Sequence, residues 1–179
     1  MERNVAIYPG RFQPFHNGHA AIIYYFWQKY GNIPVVVGAV NNRTRTFNNP
    51  FFGEEVEEII NRSLRDLQLR NDCQVRLVDV PEGNIGEWLI KMLKVSKANY
   101  LLTGNINMAE LAKNVKGLMV INPIDGSISR TRSSTVRDLT RKDLPERREL
   151  VTESAYEYIE QLEIDWRNLP NGNKRSWVY

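Results

Sequence analysis

The chain alternates between two hydrophobic rhythms. Short runs that are apolar at nearly every position recur along it, and between them apolar residues fall three and four positions apart. Continuous apolar runs suit strands buried on both faces of a parallel sheet. "NVAIY", from about Asn4 to Tyr8, predicts the first, and the β-branched "PVVVGAV" the second. "CQVRLVDVP", "ANYLLTG" and "GLMVIN" predict the third, fourth and fifth. The intervening segments read as helices. "NGHAAIIYYFWQKYG" has Asn17 near its cap and Gly31 after its end. "GEEVEEIINRSLRDLQL" sets Val56, Ile59, Ile60 and Leu64 on one face. "IGEWLIKMLKV" and "NMAELAKNV" follow, then "SSTVRDLTRKD", with hydroxyl residues at its start, and a longer last helix in "ELVTESAYEYIEQLEI". The tail "DWRNLPNGNKRSWVY" is polar and turn-rich.

Strand–helix alternation along the whole chain predicts an α/β fold: an open parallel sheet of about five strands with helices on both faces, plus a C-terminal helical segment. Residues 1–145 are expected to form this domain, with residues 146–179 a helix and tail packed on it. No internal repeat or linker interrupts the pattern. Ligands of such sheets bind beyond the carboxyl ends of the strands, where the strand order reverses. The loop after the first strand, "PGRFQPFHNGH", is therefore the expected site.

That loop carries both histidines of the chain. His16 and His19, three apart at a helix start, fall on one side of the first turn. The free N–H groups and positive dipole end of such a turn favour anions. Arg11 adds a fixed positive charge with a fork of donors. Gly10 is expected to let the chain turn off the strand, and Gly18 to let a ligand approach the helix backbone. Together these residues predict a cradle for a polyanion. Two histidines three apart can also bind a metal or sit on a surface. With no cysteine or third histidine nearby, a metal site built from protein side chains is not expected. The placement after the first strand, between glycines and beside an arginine, argues against an ordinary surface pair.

Composition narrows this picture only modestly. The 179 residues suit one domain. The lone Cys73 excludes an internal disulfide framework, and no apolar run approaches the ~18 residues of a membrane span. A cytoplasmic protein without membrane contact is the expectation. The net charge of +3 fits an anionic ligand. The basic cluster Arg130, Arg132, Arg137, Arg141 and Lys142 lacks interleaved aromatics, so a phosphate site with a solvated face is expected rather than a nucleic-acid surface.

His16-Asn17-Gly18-His19 resembles the His-x-Gly-His signature of the nucleotidylyltransferase superfamily, whose members transfer a nucleoside monophosphate from ATP or CTP and release pyrophosphate. The longer "GRFQPFHNGH" resembles the archaeal-type nicotinamide-mononucleotide adenylyltransferases. "NNPFFGEE", "GEWLIKML", "TGN" and "RSSTVRD" resemble later segments of that family, in the same order, so that the resemblance covers roughly residues 5 to 140. It implies a Rossmann-like fold and an adenylyltransferase using ATP and nicotinamide mononucleotide. Mg²⁺ would be held by phosphates and water, and a homo-oligomer is possible.

Residue by residue, the resemblance implies catalytic roles for Arg11, His16, His19 and Arg137. It implies ATP contacts at Gly10, Phe12, Gln13, Gly18, Thr103, Gly104, Asn105, Arg132, Ser133, Ser134 and Thr135. It implies acceptor contacts at Asn41, Phe51 and Trp88, with Trp88 facing the nicotinamide. Read from the residues alone, Trp88 is equally a core side chain and Asn105 a helix cap. Two departures stand out. In one register Arg132 replaces the first serine of the second signature; in the other a residue is missing before Val136. Glu55 stands where relatives often carry an arginine, and Arg43 and Arg45 either compensate for it or are plain loop residues. A different acceptor or CTP remains an alternative, as does a nucleotide-sensing module without chemistry.

Overall fold

A computed structural model describes residues 4–31, 33–79, 85–122 and 132–171. Five strands form one parallel sheet: β1 (Ala6–Gly10), β2 (Val35–Val40), β3 (Cys73–Val78), β4 (Tyr100–Leu102) and β5 (Met119–Ile121). The helices between them are α1 (Asn17–Tyr30), α2 (Gly53–Asp66), α3 (Ile85–Ser96) and α4 (Ile106–Ala112), followed by α5 (Ser133–Arg141) and α6 (Glu153–Gln161). The expected α/β architecture is therefore present. β1 starts two residues later than "NVAIY" suggests and continues through Pro9 to Gly10. α6 is shorter than its apolar pattern, because Val151 is extended and Thr152 caps the helix only there.

The strand order is β3-β2-β1-β4-β5. Ala6 pairs with Val35 on one side and Tyr100 on the other, and Ile7 with Val36 and Leu101. From β1 the chain steps outward to β2 and β3, then crosses back to place β4 on the other flank of β1. The reversal lies between β1 and β4. The loop after β1 thus leaves the sheet at the crevice where ligands of such folds bind.

Alternation along the strands divides the core into two layers. Ala6, Tyr8, Val35, Val37, Ala39, Leu102 and Ile121 pack with α1, α2 and α6. Ile7, Val36, Val78 and Leu101 pack with α3 and α4. Val56, Ile59, Ile60 and Leu64 are all buried, which is the face expected of α2. Ala155 and Ile159 of α6 join the same layer, and Asp66 at the end of α2 accepts bonds from the Ser154 amide and hydroxyl. Trp88, expected as a stacking surface for the acceptor, is fully buried in the second layer with Met92, Leu89 and Leu101. Its place on the inner face of α3 makes it core. No helix among the described residues is long and apolar enough to cross a membrane.

Met92 lies directly on the sheet because Gly38 of β2 has no side chain; a Cβ there would stand 1.6 Å from the Met92 methyl. Gly38→Ala is expected to destabilise the fold by about 1–3 kcal/mol through overpacking. In a Met92→Ala background the same substitution should cost less, so the double variant is less destabilised than the sum of the two singles, a coupling read by urea unfolding of the two single variants and the double.

Candidate active site

The site begins with the loop that carries the chain from Gly10 to His16, the N-cap of α1. Phe12 sits in the left-handed region at φ 49°, which a bulky residue adopts only when its surroundings impose it. Its ring meets Tyr8 edge-on at 5.3 Å and His19 at 4.9 Å, and packs tilted against Phe15 at 5.6 Å. Gly10 is needed for a different reason than a turn: a Cβ there would stand 2.7 Å from the Phe12 ring. Phe12 is 2% exposed, and its ring packs edge-on against His19.

The two imidazoles stack, with ring centroids 3.7 Å apart and 25° between planes. His19 Nδ1 accepts the His16 main-chain N–H at 3.2 Å, so the N-cap amide is satisfied by a side chain one turn on. Accepting there leaves the proton of the neutral His19 ring on Nε2, which is then a donor. His16 is 4% exposed, and its Nδ1 has no hydrogen-bond partner among the described residues. Burial lowers the His16 pKa to about 4. Burial, and then the neighbouring His16, holds His19 well below the ordinary imidazole value. Both rings are neutral at physiological pH.

Positive charge comes from the arginines. Arg137, on α5 and 6% exposed, donates through Nη1 to the Gln13 carbonyl at 2.7 Å, while its Nε is buried without a partner among the described residues. Its pKa is lowered to about 10, chiefly by burial and then by the nearby charge of Arg11. Beside it, Ser133 donates its hydroxyl to the Pro14 carbonyl at 3.1 Å. These two contacts seat the N-terminal turn of α5 on the β1 loop. Arg132 is its N-cap, and Ser134 and Thr135 are exposed in its first turn. The second signature therefore enters the helix at Ser133.

On the other flank of the crevice, β4 is followed by Thr103-Gly104-Asn105. Thr103 is buried and its hydroxyl accepts the Asn105 amide at 3.0 Å. Asn105 caps α4 by accepting from the Asn107 and Met108 amides, at 2.9 and 3.2 Å. Gly18 is buried in the first turn of α1.

The loop after β2 lies against the same site through Gln13. The Gln13 amide donates to the Phe51 carbonyl at 3.0 Å and accepts the Phe51 amide at 2.9 Å. With both ends engaged and 2% exposure, the Gln13 side chain anchors the main chain of Phe51. Phe51 is fully buried, its ring edge-on to Trp166 at 5.7 Å. Asn41 donates to Asp79 at 2.9 Å and packs against Gly53. Glu55 is no bare negative charge. Arg45 meets it at 2.5 Å, donates also to the Pro50 carbonyl, and lies 4.2 Å over the Phe52 ring, while Glu55 accepts the Phe52 amide. Arg43 pairs instead with Asp79, in the open.

Two parts of the site were missed in the sequence. Asn42 bonds the Thr44, Asn49 and Phe51 carbonyls and so knits the β2 loop; its only signal was an asparagine pair after a strand. Trp166 braces Phe51 from a tail that read as a turn-rich segment. Among the described residues, no group of three or more histidine, cysteine or acidic side chains is arranged to hold a metal ion. The side chains this loop gathers are hydrogen-bond donors and cations, suited to a polyanion.

A family model described as cytidylyltransferase-like matches residues 7–159. The nicotinamide-nucleotide adenylyltransferase of Sulfurisphaera tokodaii is 28% identical over 163 residues, 90% of this chain and 94% of that protein. Those of Ignicoccus hospitalis and Thermococcus sibiricus are 27% and 26% identical, covering 89% and 87% of this chain and 92% and 83% of theirs. Among solved structures, a bifunctional NMN adenylyltransferase/ADP ribose pyrophosphatase from Francisella tularensis, complexed with AMP and a manganese ion, matches with a TM-score of 0.67 at 15% identity. The match covers 92% of this chain and 51% of that one, so this chain spans about half its length and shares its fold.

An unfolded histidine takes up its proton near pH 6.5, whereas folded His16 does so only near 4. Between these values the unfolded chain binds more protons, so stability falls as the pH drops through this window. His16→Asn, which keeps an N-cap residue, should flatten the slope by up to about 3 kcal/mol between pH 7 and 4, measured by urea unfolding at a series of pH values.

Proposed function

The chain belongs to the cytidylyltransferase-like family, and we propose on that footing that it transfers AMP from ATP to nicotinamide mononucleotide, giving NAD and pyrophosphate. A phosphate oxygen of the mononucleotide attacks the α-phosphorus of ATP. The bond from that phosphorus to the α,β-bridging oxygen breaks, and pyrophosphate leaves with the electron pair. The nucleophile is already ionised at neutral pH, so the protein needs no general base. Its task is to align the two phosphates and to meet the charge growing on the α-, β- and γ-oxygens.

The observation that carries this reading is the pairing of a buried guanidinium, Arg137, with the charge of Arg11 at the loop that holds two neutral imidazoles. A desolvated cation beside a second cation is stabilised by an arriving polyanion. His19 Nε2–H and His16 Nδ1, which has no partner among the described residues, supply neutral hydrogen-bonding groups for phosphate oxygens. Arg11 and Arg137 take the more charged β- and γ-phosphates. The α5 N-terminus, with Ser134 and Thr135 exposed in its first turn, presents donors to the same end of the triphosphate. Thr103 to Asn105 flank the nucleoside side of the crevice, where β4 adjoins β1. The metal enters as magnesium on ATP, as part of the substrate, and lowers the charge of the leaving group. The β2 loop, held to the triphosphate loop through Gln13, presents the acceptor.

Incubated with ATP, Mg²⁺ and nicotinamide mononucleotide, the protein should form NAD and pyrophosphate in equal amounts. Pyrophosphate release only with another phosphorylated acceptor, or only with CTP, would overturn the assignment. Deleting one transition-state donor typically costs 10²–10³ in rate. His19→Ala should lower kcat by about that factor, with its circular dichroism spectrum and melting profile showing a folded chain.

A further inference from the structure

Gln13 joins three segments that are remote in sequence. Its carbonyl receives the Arg137 guanidinium from α5, 124 positions away. Its side-chain amide makes two bonds to the main chain of Phe51, 38 positions away, and all three contacts are buried. A side chain holding both the N–H and the C=O of one residue fixes translation and rotation together, as a strand pairing does. The Phe51 carbonyl also accepts from Asn42 at 2.8 Å, and the Asn42 carbonyl accepts the Gly53 amide that opens α2. The clamp therefore reaches through the whole β2 loop. From the far side, Trp166 lies against the Phe51 ring, and the Pro170 carbonyl accepts the Phe47 amide at 2.9 Å.

We propose that Gln13 is a positioning residue that ties the triphosphate loop to the acceptor loop, so that a nucleotide seated on Arg11, His16 and Arg137 also orders residues 41–52. The proposal rests on the assigned two-substrate reaction. Gln13 touches neither substrate. It sets the distance between the loop that holds the α-phosphorus and the loop that holds the attacking oxygen. An error of about 1 Å in such a placement costs on the order of 100-fold in rate, because the alignment is required only in the transition state. The loss should then fall on kcat, with the KM of each substrate nearly unchanged.

The test uses the full chain and its Gln13→Ala and Gln13→Glu variants. For Gln13→Ala, kcat should fall between 10- and 100-fold while both KM values stay within about threefold of the parent. Gln13→Glu separates this from a general weakening of the fold. A protonated carboxyl there can donate to the Phe51 carbonyl and accept its amide, as glutamine does; an ionised one cannot donate. The ratio of its kcat to that of the parent should rise as the pH is lowered from 8.5 to 5.5. Hydrogen exchange supplies an arm that needs no turnover. ATP with Mg²⁺ should slow exchange in residues 41–52 of the parent and not in Gln13→Ala. A Gln13→Ala chain that melts earlier yet keeps kcat would overturn the proposal, as would a pH-independent ratio or equal protection in both chains. Failure of the parent to make NAD would sink the acceptor assignment alone, and the exchange arm would still decide whether the loops are coupled.

Discussion

The structure depends on main-chain carbonyls of one loop finding donors far away in the chain. Between β1 and α1 the backbone belongs to neither strand nor helix, yet Gln13 and Pro14 are buried. A buried carbonyl without a partner costs about 1–3 kcal/mol. The Gln13 carbonyl is satisfied by Arg137 and that of Pro14 by Ser133, contacts spanning 124 and 119 positions. The donor to Gln13 is charged, which makes that bond the stronger of the two. The same pair of bonds brings α5 to the crevice. A requirement of folding, that buried peptide groups be bonded, thereby delivers a guanidinium and a helix N-terminus to the place where the strand order reverses.

The electrostatics of the loop follow from its packing. Tyr8, Phe12, Phe15 and His16 all contact the His19 ring, and this largely apolar enclosure disfavours a charged imidazole. Were both rings charged beside Arg11 and Arg137, four cations would crowd one loop with no bound anion to offset them. Neutral rings avoid that repulsion and keep their hydrogen-bonding atoms. On the proposed chemistry the attraction for a polyanion then comes from the arginines, and Arg137 keeps its charge across the physiological range although burial lowers its pKa to about 10.

Most of the fold was legible because it is local. Runs such as Val35 to Val37 and the spaced face of α2 declare strand and helix without reference to anything distant, and the order of elements then implies the sheet. The histidine pair was legible for the same reason: its loop, its helix start and its glycines are contiguous. What the sequence hid were roles set by contacts across the fold. Gln13 and Phe51 lie within recognisable motifs, but nothing in either motif says that they bond each other. Trp88 lies on an amphipathic helix, and its burial follows from which face β1 and β2 cover. Glu55 looked like a lost positive charge. Arg45, ten positions earlier, restores the balance through a turn that no periodicity reveals.

The position of β1 explains why one short loop can serve two substrates. In the order β3-β2-β1-β4-β5 its neighbours are β2, followed by residues 41–52, and β4, followed by Thr103 to Asn105. Residues leaving β1 are therefore within reach of both without any domain movement. On the proposed chemistry the α-phosphorus must sit between a nucleoside on one flank and an attacking phosphate on the other, and the loop of the central strand borders both. On the same proposal the imidazoles and Arg11 stand on the loop that reaches both flanks. The donors that complete the cradle, from α5, need not be adjacent in the sheet and are brought in by side-chain-to-carbonyl bonds instead. On the proposed chemistry the central strand sets where the reaction happens, and the bonds to the Gln13 and Pro14 carbonyls hold α5 against it.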